Sequence, residues 1–137
     1  MPPGHRAVLG EIVASGFVSD GVIEIVREDR TFHHELTVNR TLSPFVFSLP
    51  PGRYQMASLT ILESGRTFRD ETSFRVGAVF DVGAEAVYLG RIRIERSSFG
   101  RPVSVVVEDD YERTVAELRA RHPELPPVIA RALIRPT

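Results

Sequence analysis

The chain has 137 residues, 42% of them hydrophobic, and a formal net charge of −1 at pH 7. This length suits one core, so 1–137 is predicted to be a single domain. The near-zero charge and the lack of a basic cluster argue against nucleic acid as a partner. The absence of cysteine excludes disulfides, thiolate metal sites and thiol nucleophiles.

All 17 basic residues are arginine, which we interpret as the coding bias of a GC-rich, bacterial genome. No apolar run approaches the ~18 residues of a membrane span, and MPPGHRAVLGEIV lacks the layout of a secretion signal. The start at Met1 is also compatible with an export segment that has been removed, which leaves localisation open.

Between Ala7 and Val107, short β-prone runs alternate with Gly, Pro, Asp and Ser, a spacing typical of an all-β sandwich or barrel. Strands are predicted at 7–14, 22–28, 31–38, 45–49, 53–63, 66–76, 87–96 and 102–108, with a further short strand in FDV. In PVSVVVE, Val103, Val105 and Val107 share one face, so a period of two buries one side. The predicted fold is a mostly β, antiparallel sandwich.

Glycines mark the connections of this sandwich. Asp20-Gly21 and Ser64-Gly65 supply the positive φ that tight turns require. Gly90 lies inside the strand at 87–96, where a glycine indicates a bulge or the close approach of another group.

After Val107 the periodicity becomes helical. Asp109 precedes Glu112 by three residues, as in a capping box, and His122-Pro123 ends the pattern. Three apolar residues align on one helical face: Tyr111, Val115 and Leu118. An amphipathic helix is therefore predicted near 109–122, followed by a tail at 123–137 in which 128–135 fits a helical turn or a strand.

The stretch FVFSLPPGRYQM predicts a reverse turn between two strands. Phe45, Phe47 and Leu49 alternate with other residues and are expected to face a core. Pro51 and Gly52 fit the central positions of a type II turn, in which the glycine accepts a positive φ. Tyr54 then begins the next strand.

Part of this stretch, FSLPPGRY, resembles the Phe-x-Leu-Pro-Pro-Gly-x-Tyr signature of prealbumin-like and carboxypeptidase-regulatory-like β-sandwich domains. VYLGRIRIE resembles a later strand of bacterial envelope lipoproteins that carry such a domain, and VVVEDDYERTVAELRARHPEL is similar to their C-terminal segment. The resemblance covers roughly 45–125.

This resemblance implies a prealbumin/Ig-like sandwich of about seven to eight strands with one C-terminal helix. It also implies an exported, lipid-anchored, non-enzymatic module in the periplasm or at the outer membrane, whose partner is another envelope protein. Since the chain has no cysteine to carry a lipid, membrane attachment requires an export signal and anchor upstream of Met1.

Adjacent histidines in the strand at 31–38 are the first candidate metal ligands. Successive strand residues point to opposite faces, so His33 and His34 cannot bind one metal without a bulge. His34 is predicted to be a partly buried, hydrogen-bonded core residue, and His33 to lie in solvent with Glu35.

The acidic cluster of Glu108, Asp109 and Asp110 offers oxygen ligands for calcium, but no Asp-x-Asp-x-Asp-Gly loop supports such a site. We interpret these carboxylates as acceptors for the free N–H groups of the following helix. No metal or other cofactor is predicted.

Arginines alternate with apolar residues in two predicted strands: Arg66, Arg69, Arg75, Arg91, Arg93 and Arg96. They fit a basic face for a polysaccharide or lipid head group, but a solvated row paired with neighbouring carboxylates is favoured. Should the chain bind a small ligand or a carbohydrate, the ligand or partner surface is predicted at Tyr54, Tyr88, Arg91 and Arg93.

Catalytic motifs are missing from the sequence: it contains no Gly-x-Ser-x-Gly, Cys/His pair or P-loop. Transthyretin-related hydrolases share the expected fold but end in Tyr-Arg-Gly-Ser, whereas this chain ends at 134–137 with IRPT. The sequence thus predicts a structural or protein-interaction module first, a small-ligand or carbohydrate-binding module second, and a hydrolase last.

Overall fold

The computed structural model describes residues 3–15, 21–38, 43–64, 69–96 and 103–136. Their elements are β1 (Arg6–Ser15), β2 (Gly21–Arg27), β3 (His33–Val38), β4 (Ser43–Leu49), β5 (Gly52–Ser64), β6 (Arg69–Val82), β7 (Ala86–Arg96), β8 (Val103–Glu108), α1 (Tyr111–Arg121), β9 (Ile129–Arg131) and β10 (Arg135–Pro136). The predicted β-sandwich with one C-terminal helix is confirmed. The two predicted tight turns reach residues outside the described ranges.

The strands form two sheets. The first has the order β4-β1-β7-β8, with β9 also pairing with β7, and the second has the order β10-β6-β5-β2-β3. The described pairs are antiparallel except β1–β7 and β7–β9, which are parallel. The prediction of an entirely antiparallel sandwich was therefore wrong at the centre of the first sheet. Strands of the second sheet lie between β1 and β7 in the sequence, and such a long crossover connection allows two strands to pair in parallel.

The central strands of the first sheet, β1 and β7, are buried on both faces. Val8 and Leu89 pack into the core between the sheets, whereas Leu9 and Tyr88 pack under α1 with Leu118. Strands covered on both sides are continuously apolar instead of alternating. The runs AVL in β1 and AVYL in β7 follow this rule, and the molecule has three layers: helix, sheet, sheet.

β6 is longer than predicted because it runs through FDV instead of stopping before it. Gly77 has a φ of +66°, and the register between β5 and β6 shifts near Met56. The glycine thus marks a bulge within one strand. The predicted irregularity at Gly90 is confirmed: its φ is +110°, and a Cβ there would lie 2.8 Å from Val107 Cγ1.

The tail closes one side of the sandwich. β9 pairs with β7 of the first sheet and β10 with β6 of the second. Between them, the N–H groups of Ala132 and Ile134 donate to the carbonyls of Tyr88 and Leu89, both at 2.9 Å. The segment 128–135 is therefore extended, with strand pairing at each end.

The Pro-Pro-Gly turn differs from the prediction. Gly52 has a φ of +158°, far from the roughly +80° of a type II turn, so the type II assignment was wrong. A Cβ on Gly52 would also lie 2.5 Å from Arg27 Nε, so a larger residue here needs the flexible Arg27 side chain to move. The Tyr54 hydroxyl donates to the Pro50 carbonyl at 2.5 Å, as in a tyrosine corner.

Helix α1 begins without the predicted capping box. Its N-cap is Asp110, whose side chain makes no capping hydrogen bond, because Arg113 Nε donates to that carboxylate at 2.6 Å. Asp109 instead accepts from the Tyr111 N–H at 3.1 Å. The predicted apolar face is confirmed, with Val115 and Leu118 buried. Among the described residues, no helix has the length and apolar character to span a membrane.

Candidate functional site

The two tyrosines predicted for a ligand surface are core residues. Tyr54 and Tyr88 are 1% and 0% exposed. The Tyr54 ring stacks on Phe80 with 5.6 Å between centroids, and the Tyr88 hydroxyl accepts the Asp110 N–H at 3.0 Å. Burial raises the pKa of both hydroxyls. The expectation of a tyrosine-lined surface is not met, because both rings fill space between layers.

The two arginines of that predicted surface lie on β7, the strand that also carries Tyr88. Arg91 and Arg93 belong to β7, and Arg93 Nη2 lies 3.1 Å from Glu108 Oε1 of β8. Within the described part, Arg91 Nε is buried without a hydrogen-bond partner. Since Tyr54 lies in the opposite sheet, the four residues do not form one site. The other arginines of the row, at 66, 69, 75 and 96, lie outside the described side chains.

A buried carboxylate that sequence reasoning missed joins β1 to the helix. Glu11 is 1% exposed; it accepts hydrogen bonds from Arg113 Nη2 at 2.6 Å and from the Thr114 hydroxyl. The hydrogen bond to Glu11, followed by that to Asp110, raises the pKa of the Arg113 guanidinium. Because a charged partner and a hydroxyl already occupy Glu11, its arrangement serves to fix the helix on the sheet. In the sequence, the one sign of this burial is that Glu11 lies within an apolar run, LGEIV.

The histidines lie on opposite faces of β3, as predicted. The His34 ring stacks on Phe47 with centroids 4.4 Å apart and planes 13° apart, and burial lowers its pKa, followed by the effect of His33. The exposed His33 lies 3.7 Å from a Glu24 carboxylate oxygen. In the described ranges, no group of three or more His, Asp or Glu side chains is arranged to hold a metal.

The acidic residues before α1 are paired with arginines. Asp109 Oδ2 lies 3.1 Å from Arg131 Nε, and Asp110 Oδ2 lies 2.5 Å from Arg113 Nη2. The Arg131 guanidinium also lies 4.3 Å above the Tyr111 ring. These carboxylates therefore tie the helix start to β9 and to its own first turn.

One side of the sandwich is open. There the first sheet ends with β4 and the second with β3. In the part of the chain that the structure describes, β4 pairs only with β1, β3 pairs only with β2, and no other backbone hydrogen bond reaches their outer edges. Each edge strand thus presents unpaired N–H and C=O groups, which can accept a further strand.

Proline indicates which β4 groups point outward. Pro44 lies opposite Glu11 in an unbroken β1–β4 register. Since proline has no N–H to donate, it is tolerated in a strand where its nitrogen faces away from the partner. Residues two apart share this orientation in an antiparallel ladder. Val46 and Ser48 therefore direct both N–H and C=O outward, and Pro44 its C=O.

The two edges differ in protection. β3 exposes the polar His33 and the charged Glu35, and an exposed charge such as that of Glu35 discourages strand addition. In β4, the residues from Phe45 to Leu49 carry no charge. We name these five residues the β4 edge; it is the less protected of the two.

Apolar surface flanks the β4 edge on both faces. On the helix side lies a groove of about 210 Å³, lined by Ala7, Val46, Phe47, Ser48, Glu124 and Leu125. A second groove of about 370 Å³ shares Ala7 and Glu124 and extends to Val128, which is 56% exposed. On the core side, the half-buried Phe45 ring lies 5.5 Å from that of Phe47, which stacks on His34. Side chains of an added strand would meet one of these surfaces at each alternate position.

Comparison with known proteins identifies no relative of the chain. No known protein family, curated protein or solved structure matches the chain.

Proposed function

We propose that the chain is a non-enzymatic protein-interaction module that binds an extended polypeptide segment along the β4 edge. The observation that carries this proposal is the row of outward N–H and C=O groups at Val46 and Ser48, on a strand without charges. An extended segment added to such an edge gains main-chain hydrogen bonds, while pockets beside the edge select alternate side chains. The β4 edge has both components.

The non-enzymatic part of the proposal rests on how the ionisable groups are used. Glu11 is engaged by Arg113 and Thr114, and the buried Tyr88 hydroxyl accepts a backbone N–H. His34 faces an aromatic ring instead of a hydroxyl nucleophile. A general base must lie within hydrogen-bonding reach of the proton that it takes from the substrate, and these three groups are engaged in structural contacts instead.

The cellular part of the proposal is a bacterial envelope lipoprotein in the periplasm or at the outer membrane, with another envelope protein as the partner. Its support is the resemblance of FSLPPGRY and the exclusive use of arginine. The Tyr54–Pro50 hydrogen bond gives this motif a folding role that many sandwiches need. Sequencing upstream of Met1 tests the location, since an export signal ending in a lipid-modified cysteine is expected.

A peptide-display selection tests the binding function. Random extended peptides are selected on the wild-type chain, on Ser48→Pro and on Ser48→Ala. Ser48→Pro removes an outward N–H and leaves the β1 ladder intact, whereas Ser48→Ala removes only the hydroxyl. We expect wild type and Ser48→Ala to enrich the same peptides and Ser48→Pro to lose them. Equal enrichment on all three folded proteins would refute strand addition at β4.

Small-ligand binding is a second candidate, favoured by the groove of about 370 Å³. This volume lies within the range of small-molecule sites, roughly 300–1,000 Å³, and Arg6, Glu85 and Pro126 line it. Arg6 Nε donates to the Ala84 carbonyl at 2.7 Å, which holds part of the polar lining in place. A fragment screen followed by amide chemical shifts would detect such a ligand near Arg6 and Glu85 and away from Val46.

A further inference from the structure

We infer that the segment bound at the β4 edge alternates basic and large apolar residues, with arginine or lysine beside Glu124 and apolar side chains over the Phe45–Phe47–His34 rings. This inference rests on the proposed function and adds the chemistry of the partner. Alternation follows from strand geometry, because successive side chains of an added strand point to opposite faces of the sheet.

The helix-side groove indicates the basic residue. Glu124 is the one charged side chain among the described residues that line the groove of about 210 Å³. Its side chain is 72% exposed, and its contact is with His122 Nδ1 at 3.4 Å, an imidazole that balances the carboxylate only when protonated. Arginine or lysine would place its aliphatic stem on Val46 and Leu125 and its charge at the carboxylate.

The core-side surface indicates the apolar residues. Phe45 and Phe47 are half-buried, with ring centroids 5.5 Å apart, and His34 stacks on Phe47 from the opposite sheet. Burial lowers the pKa of His34, which favours the neutral imidazole beside the Phe47 ring. Aromatic and β-branched residues pair well with such rings across strands.

A second copy of the chain fits the same edge less well. β4 reads SPFVFSL and contains no basic residue. Antiparallel pairing of two β4 edges would also place both helix layers, and with them both Glu124 carboxylates, on the same face of the joined sheet. Like charges brought together in this way oppose association, so a different polypeptide is the favoured occupant.

Three synthetic peptides test the inference. The first is an acetylated, amidated nine-residue peptide in which arginine alternates with valine and phenylalanine. The second has glutamate in place of arginine, and the third has the first peptide's composition in an order without alternation. Each is titrated by calorimetry against wild type, Glu124→Arg and Glu112→Arg, the last an exposed charge reversal at the other end of α1.

We expect wild type and Glu112→Arg to bind the alternating arginine peptide at least about tenfold more tightly than the other two. Glu124→Arg should reverse the preference between the arginine and glutamate peptides. Methylation of the peptide's backbone nitrogens should abolish binding, because the main-chain bonds are lost.

Other outcomes separate the two proposals. One such outcome is a display selection that yields peptides that Ser48→Pro fails to bind but that contain no basic residue. That result would overturn the inference and leave the proposed function standing. Absence of peptide binding in both assays would refute both. A concentration-dependent dimer by light scattering that Ser48→Pro abolishes would identify a second copy as the occupant and overturn the inference.

Discussion

The tyrosine corner at the Pro-Pro-Gly turn gives a quantitative test of the fold. Tyr54 is 1% exposed, and its hydroxyl donates to the Pro50 carbonyl at 2.5 Å. Tyr54→Phe keeps the ring, including its 5.6 Å stack on Phe80, and removes only this hydrogen bond. A typical intramolecular hydrogen bond contributes about 0.5–1.5 kcal/mol net. We therefore expect the free energy of unfolding to fall by about 1 kcal/mol.

The matched variant Tyr54→Ala removes the ring as well. Truncation of a large buried aromatic residue costs about 3–5 kcal/mol, so the two variants should differ by at least about 2 kcal/mol. Urea unfolding followed by circular dichroism measures the free energy of unfolding of both variants. In a thermal melt, the melting temperature of Tyr54→Phe should be about 3–4 °C below that of wild type for a chain of this size. A Tyr54→Phe protein as stable as wild type would show that the hydroxyl bond does not stabilise the turn. Equal losses for the two variants would contradict the assignment of the ring to the core.

Three further predictions concern packing and pH. Gly90→Ala should lower the free energy of unfolding by about 1–3 kcal/mol, because the φ of Gly90 is +110° and the new Cβ would lie 2.8 Å from Val107 Cγ1. Gly83→Ala is the control, because a Cβ there would meet nothing within 4 Å. Equal urea midpoints for the two variants would contradict the close approach at Gly90. Tyr88→Ala should cost about 3 kcal/mol or more as a core truncation, and a near-neutral urea midpoint would instead indicate a surface ring. Because the pKa of His34 is lowered in the folded chain, the unfolded chain takes up a proton first as the pH falls through the ordinary value of 6.5. The contribution of His34 to the free energy of unfolding is therefore full above that pH and declines below it. His34→Phe should remove this part of the decline between pH 7.5 and 5, and identical stability–pH profiles for the two proteins would refute the burial of the imidazole.

Strands with one buried and one exposed face could be predicted from their alternating pattern. Val105 and Val107 are spaced by two and pack on the core, and such a pattern is visible without coordinates. The same reasoning failed where both faces are covered, since Val8 and Leu9 pack on different layers. The helix was predicted to pack on the sandwich, but a continuous apolar run gives no sign of which layers cover it, so neither the sheet that the helix covers nor the parallel β1–β7 pair was predicted.

Errors in the turns and caps have a local cause. The type II turn was inferred from residue types alone, but the φ of Gly52 is +158°, and the Arg27 side chain of a different strand lies against it. The capping box predicted at Asp109 and Glu112 is not formed because the N-cap is Asp110, whose carboxylate accepts from Arg113 instead of capping the helix. The contact at Gly52 joins residues far apart in sequence, whereas the helix start depends on which of two neighbouring aspartates takes the N-cap position; residue types alone decide neither.

The candidate site was hidden for a similar reason. Tyr54, Tyr88 and Arg91 were chosen because such residue types are common in binding surfaces, and the fold places two of them in its interior. The β4 edge is defined instead by strand order, which leaves β4 with one neighbour among the described strands. The sequence contained one usable signal, Pro44 at the start of FVFSL, because a proline inside a strand indicates an edge.

Amide hydrogen exchange of β4 tests the central claim most directly. The structure predicts fast exchange in the free protein at Val46 and Ser48, whose N–H groups point outward, and slow exchange at Phe45 and Phe47, whose N–H groups bond to β1. Binding of the alternating arginine peptide should slow exchange at Val46 and Ser48 specifically. Protection of Val46 and Ser48 in the free chain, or no change when the peptide binds, would contradict an open edge that accepts a strand.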